Sequence, residues 1–345
     1  MAKETKIPKF PSELRFDLAS KDWVVIATGR AKRPEMFKKE KRASEEAPRD
    51  TCPFCKIEIQ EPPVLVYANN EKVLLSDGIP QDWTTIVIPN KYPAFVPSYE
   101  LNTRIEGNLY QTMNAVGFHE VVITRDHEKP MALLEVAKVK EVFDAYQERY
   151  LQLMKENFVN YVSIFHNHGK EAGASVSHPH SQIITTPLID QDLKKSLENS
   201  QKYFRERKKC VYCVMTEWEI QNKTRVVFEN EEFVAMCPFA SKTAFEVIIS
   251  PKKHMPRFEQ ISERKKGLLA EAFQFVLGRL YKGLNDPAYN FYLHTPPCDG
   301  KNYNFYHWHW TILPKTATWA GFEIGTQIEI STIEPEAAAE FLRKK

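Results

Sequence analysis

Three side chains that could do chemistry alternate along residues 173–183, which read GASVSHPHSQI. His178, His180 and Gln182 are two residues apart, so an extended strand would place them on one face, about 7 Å between successive members. An imidazole nitrogen is a good nucleophile near neutral pH, and its attack on phosphorus gives a covalent phosphohistidine. The amide N–H of Gln182 could then donate to a phosphate oxygen. The segment therefore predicts phosphoryl-type transfer through a histidine.

The two histidines of this segment can have different roles. If His178 binds a metal, it fixes the strand and leaves the neighbouring His180 as the nucleophile. The alternative is a structural strand whose histidines are only metal ligands. That alternative does not require Gln182 or the small residues of the preceding NHGKEAGAS stretch, where Ser175 and the backbone could approach a phosphate closely. We therefore favour the catalytic interpretation.

Four of the six cysteines form two Cys-x-x-Cys pairs, and histidines follow each pair at matching distances. Thiolate and imidazole suit zinc, and four protein ligands leave no open coordination position. Redox chemistry is the second interpretation of such pairs. We predict two Cys2His2 zinc sites, formed by Cys52, Cys55, His127 and His178 and by Cys210, Cys213, His254 and His307.

Three other histidines leave alternatives open. His309 competes with His307 as a ligand, because residues two apart on a strand share a face. His166 and His294 occupy equivalent places in the repeat and are either ligands or helix-packing residues. For His166 we favour packing.

The chain contains an internal repeat. Each half has a Cys-x-x-Cys pair, a β-branched strand that ends in a histidine, an amphipathic helix, a strand with a histidine, and a His-x-His strand that ends at a proline. His127 and His178 are 51 residues apart, and His254 and His307 are 53 apart. Five features in the same order predict two copies of one α+β unit, each an antiparallel sheet with a long helix.

The helices of the repeat can be bounded from their periodicity. Apolar residues recur at helical spacing over residues 136–156 and 263–284. A polar stretch over residues 187–209 predicts a helix that links the two halves.

Composition excludes several classes of protein. The 345 residues are 43% hydrophobic and 27% charged, and the net charge of +2 gives no electrostatic case for nucleic-acid binding. No apolar run is long enough to span a membrane, and the N-terminal residues lack the apolar region of a secretion signal. We expect a cytoplasmic protein that binds neither nucleic acid nor membrane.

The stretch NHGKEAGASVSHPHSQI resembles the signature of the galactose-1-phosphate uridylyltransferase family, a branch of the histidine-triad superfamily. DWVVIATGRAKRP at 22–34, CPFC, PNKYPAF at 89–95, HEVVITRDH and AGFEIGT at 320–326 look like further family blocks in the family order. The resemblance covers nearly the whole chain. It implies two tandem histidine-triad-like units, residues 1–190 and 191–345, and a homodimer.

The resemblance also implies an activity and a role for individual residues. Family enzymes exchange UMP between UDP-glucose and a hexose 1-phosphate such as galactose 1-phosphate, through a uridylylated histidine. His180 matches that nucleophile, and the first zinc set matches the family's zinc ligands. The positions that match substrate contacts are Arg30, Arg33, Asn90, Asn167, Ser175, Gln182 and Glu323.

Some positions depart from the family pattern. Lys91 stands where some members have an aspartate at the ribose, and Phe322 where some have a tyrosine near the sugar phosphate. Ser181 and the CVYC pair are typical of a plant-type relative, ADP-glucose phosphorylase, whereas Pro179 looks like the uridylyltransferases. Some members bind iron at the second site without cysteines, so a metal other than zinc is the alternative at that site.

Several functions are therefore compared. The first is a ping-pong uridylyltransferase, and the second is an ADP-sugar phosphorylase that transfers AMP to phosphate. A third, of another class, is a non-catalytic zinc protein that binds nucleotides; it leaves Gln182 and the small residues before it unexplained. A histidine-triad hydrolase, which would admit water to the covalent intermediate, is the fourth. We favour the first.

Overall fold

One antiparallel sheet dominates the computed structural model, which describes residues 12–27, 34–37 and 48–345. Its eleven strands in the described residues are, in chain order, β3 (Leu65–Ala68), β4 (Glu71–Lys72), β5 (Thr85–Pro89), β8 (His119–Thr124), β9 (Tyr161–His168), β10 (His180–Thr186), β11 (Val226–Glu229), β12 (Phe233–Met236), β13 (Val247–Pro251), β14 (Tyr289–His294) and β15 (His309–Pro314). Across the sheet they lie in the order β11-β12-β13-β15-β14-β9-β10-β8-β5-β3-β4.

Smaller strands, six α-helices and several short 3-10 turns complete the described part of the chain. The strands β1 (Glu13–Phe16), β2 (Trp23–Ile26) and β16 (Ile330–Ser331) form a separate sheet, and β6 (Arg104–Glu106) pairs with β7 (Tyr110–Thr112) as a hairpin. The helices are α1 (Val136–Leu153), α2 (Gln191–Arg207), α3 (Val211–Asn222), α4 (Glu263–Leu284), α5 (Gly321–Thr326) and α6 (Pro335–Arg343). No helix among these residues is long and apolar enough to cross a membrane.

The large sheet contains the repeat. Outward from the centre, the first half gives β9, β10, β8, β5 and β3, and the second gives β14, β15, β13, β12 and β11. The central strands β9 and β14 pair antiparallel, so the two halves meet edge to edge. This confirms the predicted α+β fold of two tandem units. The boundary at residue 190 stays a prediction.

The two long helices cover one face of the sheet and share its core. Phe143 of α1 contacts Phe273 of α4, with ring centroids 4.9 Å apart, and both contact the buried Trp310 of β15. These rings come from both halves, and they are large apolar groups whose burial dominates core stability. The two units therefore share one hydrophobic core.

The predicted helices form where the sequence favours them. Helix α4 has the predicted bounds because Ser262 caps its first turn and Asn285 ends it with φ +62°. Helix α1 begins at its predicted residue and ends at Leu153, three residues early. The linking helix α2 is shorter than predicted at both ends, and the Asp190 side chain caps it by accepting from the Leu193 N–H.

Candidate active site

The first cysteine pair and two distant histidines converge on one point. Cys55 Sγ lies 3.1 Å from His127 Nδ1 and 3.5 Å from His178 Nδ1, and Cys52 Sγ lies 3.5 Å from His178 Nδ1. The two histidine Nδ1 atoms are 3.2 Å apart. His127 follows β8 and His178 precedes its neighbour β10, so the sheet brings together residues far apart in sequence.

These distances fit a tetrahedral metal ion. Ligand atoms 2.0–2.3 Å from zinc at the corners of a tetrahedron lie about 3.3–3.8 Å from one another. The observed separations of 3.1–3.5 Å are close to that range. Two thiols and two imidazoles are also the donor set that zinc prefers. The cluster can therefore hold a metal ion with no position left open for substrate.

The second cysteine pair forms a similar cluster. Cys213 Sγ lies 3.3 Å from the Nδ1 atoms of both His254 and His307, and Cys210 completes a set whose ligand atoms lie within 4.8 Å of one another. The cysteines lie at the start of α3, with Cys210 as its N-cap. The two groups that sequence analysis predicted are thus both brought together, and His307 rather than His309 joins the second.

Hydrogen bonds on the far side of the rings orient the histidines. His178 Nε2 lies 2.7 Å from the carbonyl oxygen of Thr124, and His254 Nε2 lies 2.8 Å from that of Asn304. A carbonyl only accepts, so each Nε2 carries the proton and the lone pair is at Nδ1, which faces the cysteines. Such outer hydrogen bonds are usual for metal-binding histidines.

His180 has the opposite arrangement. Its Nδ1 lies 2.8 Å from the carbonyl oxygen of His178, so Nδ1–H is the donor and the neutral ring has its lone pair at Nε2. The ring is buried and contacts Phe54 at 4.9 Å between centroids. Burial lowers the pKa of His180, and the hydrogen bond to His178 raises it in part. The structure gives His180 a nitrogen that is available for reaction.

Gln182 is held by a histidine that sequence analysis did not identify. His119 Nδ1 accepts from the Ala94 N–H at 3.1 Å, so its Nε2 carries the proton and donates to Gln182 Oε1 at 2.8 Å. The Gln182 oxygen is then occupied, and its NH2 group is left to donate elsewhere. His119 begins the HEVVITRDH stretch quoted above, but only the register of β8 beside β10 reveals the contact.

Asn90 lies next to this pair. Its backbone N–H donates to the His119 carbonyl, and its Oδ1 accepts from the Tyr92 N–H. His119 therefore links Asn90, the predicted nucleoside contact, to Gln182, the predicted phosphate contact.

Asn167 and Ser175 lie on the other side of the catalytic strand. Asn167 is near the end of β9, beside β10, and Ser175 is exposed in the loop between them. Residues 169–176 of that loop are called the glycine loop below. Gly169 and Gly173 adopt φ values of +85° and +87°, which other residues rarely do.

Of the remaining predicted substrate contacts, only Glu323 lies within the described residues, and the structure does not place it beside His180. Glu323 is in α5, and its carboxylate accepts from the Ala320 N–H at 3.0 Å. None of the contacts described for Glu323 joins it to His180. Arg30 and Arg33 lie outside the described residues.

Ser181 points away from the site. Tyr146 of α1 donates to its Oγ at 2.5 Å, and His166 Nδ1 lies 2.9 Å from the same oxygen. The three groups are buried behind the catalytic strand. The favoured packing role of His166 agrees with this geometry.

The predicted equivalence of His166 and His294 is wrong. His166 pairs with Ser181, whereas His294 pairs with His309, the counterpart of His180. One residue of offset turns a side chain to the other face of a sheet. His294 therefore stacks on His309 at 4.6 Å between centroids and lines a cavity of about 570 Å³ on the face opposite the long helices.

Comparisons with known proteins agree with this geometry. The model of the N-terminal domain of galactose-1-phosphate uridyl transferase matches residues 4–189, and that of the C-terminal domain matches residues 196–344. ADP-glucose phosphorylase of Arabidopsis thaliana is 33% identical over 336 residues, which cover 96% of this chain and 92% of the relative. Galactose-1-phosphate uridylyltransferase of Thermotoga maritima is 26% identical over 342 residues, which cover 96% and 98%.

A solved structure is similar over the same length. The crystal structure of an ADP-glucose phosphorylase from Arabidopsis thaliana with bound ADP-glucose has a TM-score of 0.79 and 29% identity, covering 97% of this chain and 99% of that one. Both family domains match in order, and the relatives are similar over nearly their full length. This chain belongs to the galactose-1-phosphate uridylyltransferase family of nucleotidyltransferases.

Proposed function

We propose that this chain transfers a nucleoside monophosphate from a nucleotide-sugar to a phosphate-bearing acceptor through a covalent bond to His180. The observation that carries the proposal is the hydrogen bond from His180 Nδ1–H to the His178 carbonyl oxygen at 2.8 Å. It fixes the tautomer whose lone pair is at Nε2. That tautomer is the nucleophilic one, and it exists before substrate arrives.

The reaction has two half-steps. His180 Nε2 attacks the α-phosphorus, a P–N bond forms, and the P–O bond to the sugar 1-phosphate breaks, so sugar 1-phosphate leaves with the electron pair. In the second step a phosphate oxygen of the acceptor attacks the same phosphorus and the P–N bond breaks. Throughout, the Nδ1 proton stays on His180 beside the His178 carbonyl, which stabilises the positive charge that the ring gains in the adduct.

Neighbouring side chains would stabilise charge on the phosphate oxygens. Gln182 offers its NH2 group because His119 occupies its oxygen. Asn167 and the glycine loop with Ser175 lie on the opposite side of His180. Arg30 and Arg33 are proposed as further contacts on the family resemblance, since a guanidinium matches phosphate oxygens. Glu323 is proposed as the sugar contact on the same basis.

The two cysteine–histidine clusters are proposed to bind zinc with a structural role. Zinc would cross-link strands and turns that are distant in sequence, and the first ion would fix His178 two residues from the nucleophile. With four protein ligands neither ion would offer a position to substrate.

Two donors are candidates. An ADP-sugar, with phosphate as acceptor, is supported by the 33% identity to an ADP-glucose phosphorylase, by Ser181 and by the second cysteine pair. UDP-glucose with a hexose 1-phosphate is supported by Pro179 and by the uridylyltransferases at 24–27% identity over three quarters or more of the chain. We place the ADP-sugar first because the similarity is higher over the same length.

A paired exchange assay separates the two. Radiolabelled glucose 1-phosphate is incubated with enzyme and either UDP-glucose or ADP-glucose, without a further acceptor. Label entering ADP-glucose at the higher rate supports the ADP-sugar donor, and label entering UDP-glucose supports the uridylyl donor. Exchange with neither contradicts transfer through an enzyme-bound nucleotide. The homodimer expected from the resemblance stays a prediction, which sedimentation of the purified chain would test.

A further inference from the structure

We infer that Asn290, in the second unit, is a positioning residue that turns the amide N–H2 of Asn167 toward the glycine loop of the first unit. This inference rests on the nucleotidyl transfer proposed above. Asn290 lies in β14, and sequence analysis assigned no substrate contact to that strand.

The register of the sheet places the three residues in one row. Ser181 pairs with His166 in the antiparallel register of β10 and β9. His180 precedes Ser181 and Asn167 follows His166, so these two residues are also neighbours, and their side chains lie on the opposite face of the sheet from Ser181 and His166. Asn167 pairs in turn with Asn290 across the junction of the two units. Adjacent strands lie about 4.8 Å apart. Asn290 is therefore two strands from the nucleophile, with Asn167 between them.

The hydrogen bonds fix which way each amide faces. Asn290 Nδ2 donates to the carbonyl oxygen of Ala172 at 2.8 Å and to Asn167 Oδ1 at 2.8 Å. A backbone carbonyl only accepts, so Asn290 must present its nitrogen. Asn167 faces that nitrogen and must present its oxygen. The NH2 group of Asn167 then points away from Asn290.

The Asn167 NH2 group faces the glycine loop. A Cβ atom built on Gly173 would lie 3.8 Å from Asn167 Nδ2, so the amide nitrogen is next to the loop backbone. A phosphoryl group attached to His180 would have the same neighbours, because Asn167 and His180 are adjacent on one face. A donor held at that point stabilises charge on a phosphate oxygen without reorganisation during the reaction.

The second unit contacts the same segment at another residue. Asp286 Oδ1 lies 2.7 Å from Nε2 of His168, which immediately precedes the glycine loop. The bond from Asn290 to Ala172 holds the short helical turn inside that loop. Two side chains from the turn and strand after α4 therefore hold the first unit's loop on both sides of Gly169.

Substitutions of Asn290 distinguish positioning from packing. Asn290→Asp keeps the size but removes both donors, so Asn167 would turn over to donate to it and present its oxygen to the phosphate. Asn290→Ala only releases Asn167. We expect the rate of adduct formation to fall about 10-fold in the alanine variant and about 100-fold in the aspartate variant.

A double-mutant cycle provides the test. Single-turnover adduct formation is followed by intact mass, with ADP-glucose or UDP-glucose, for the parent, Asn290→Ala, Asn167→Ala and the double variant. Metal content and the urea midpoint of each variant check its fold. Asn230→Ala is the matched control, because Asn230 also lies in the second unit and donates its amide to a backbone carbonyl, that of Leu268.

If Asn290 acts through Asn167, its removal slows the parent about 10-fold and changes the Asn167→Ala variant less than 2-fold. Equal slowing in both backgrounds, or no slowing of the parent, overturns the inference and leaves the proposed function intact. A parent that forms no adduct with either donor overturns the proposed function and this inference with it.

Discussion

His119 Nε2 donates to Gln182 Oε1 at 2.8 Å, across the pair of strands that carries the catalytic histidine. Because the Ala94 N–H occupies His119 Nδ1, this ring can donate only through Nε2. The Gln182 amide is therefore fixed with its NH2 group directed away from His119. Asn167 is fixed in the same way by Asn290, so both amides beside His180 have their oxygens occupied.

Replacing His119 is expected to slow transfer through Gln182. His119→Ala frees the Gln182 amide to rotate, and we expect adduct formation to fall about 10-fold, the effect of losing about 1.4 kcal/mol of stabilisation. His119→Gln can place an amide N–H near the Nε2 position and should retain most of the rate. The measurement is single-turnover adduct formation. Equal rates in the alanine variant and the parent would show that His119 does not orient Gln182.

The two metal clusters are expected to bind independently. Purified protein should contain about two zinc ions per chain, and Cys52→Ser or Cys210→Ser should each remove one, as measured by elemental analysis. Both variants should unfold at lower temperature, because structural zinc binding is coupled to folding. Cys298→Ser is the control, since Cys298 belongs to neither cluster. A parent that contains one zinc ion or none would show that one or both clusters do not bind zinc.

Glu246 is expected to make stability depend on pH. Its carboxyl is buried in the second unit, and burial raises its pKa to about 7, an effect that the hydrogen bond from the Lys242 N–H partly offsets. A raised carboxyl pKa means that the folded protein loses stability as pH rises from about 4.5 to about 7, by at most about 1.4 kcal/mol per pH unit. In Glu246→Gln this loss should be absent.

The test for Glu246 is urea unfolding of both proteins at pH 5, 6, 7 and 8. The advantage of Glu246→Gln over the parent should grow up to pH 7 and then stay constant. A difference that does not change with pH would mean that Glu246 is ionised in the folded protein throughout.

Much of the fold was readable from the sequence because its signals are local or repeated. The bounds of helix α4 were predicted correctly from its apolar periodicity, and the two metal clusters were predicted from the matched spacing of cysteines and histidines. Contacts set by strand register were not readable. The His119–Gln182 bond and the Asn290–Asn167 bond join strands whose alignment no local signal specifies, and a slip of one residue misassigned His294.

We propose that His180 alone carries the nucleotide. His309 occupies the corresponding position in the second unit, and its Nδ1 lies 3.3 Å from the carbonyl oxygen of His307. It is therefore the matched control for His180. Two residues further along the strand, however, the second unit has Thr311 where the first has Gln182. We therefore expect one adduct per chain.

Intact mass spectrometry after incubation with ADP-glucose or UDP-glucose alone is the most direct test. We expect a mass gain of one AMP or one UMP per chain in the parent and in His309→Gly, and this gain should be lost when phosphate or a hexose 1-phosphate is added. We expect no gain in His180→Gly, whose zinc content should be unchanged. An unmodified parent with either donor, or a gain that persists in His180→Gly, would contradict this proposal.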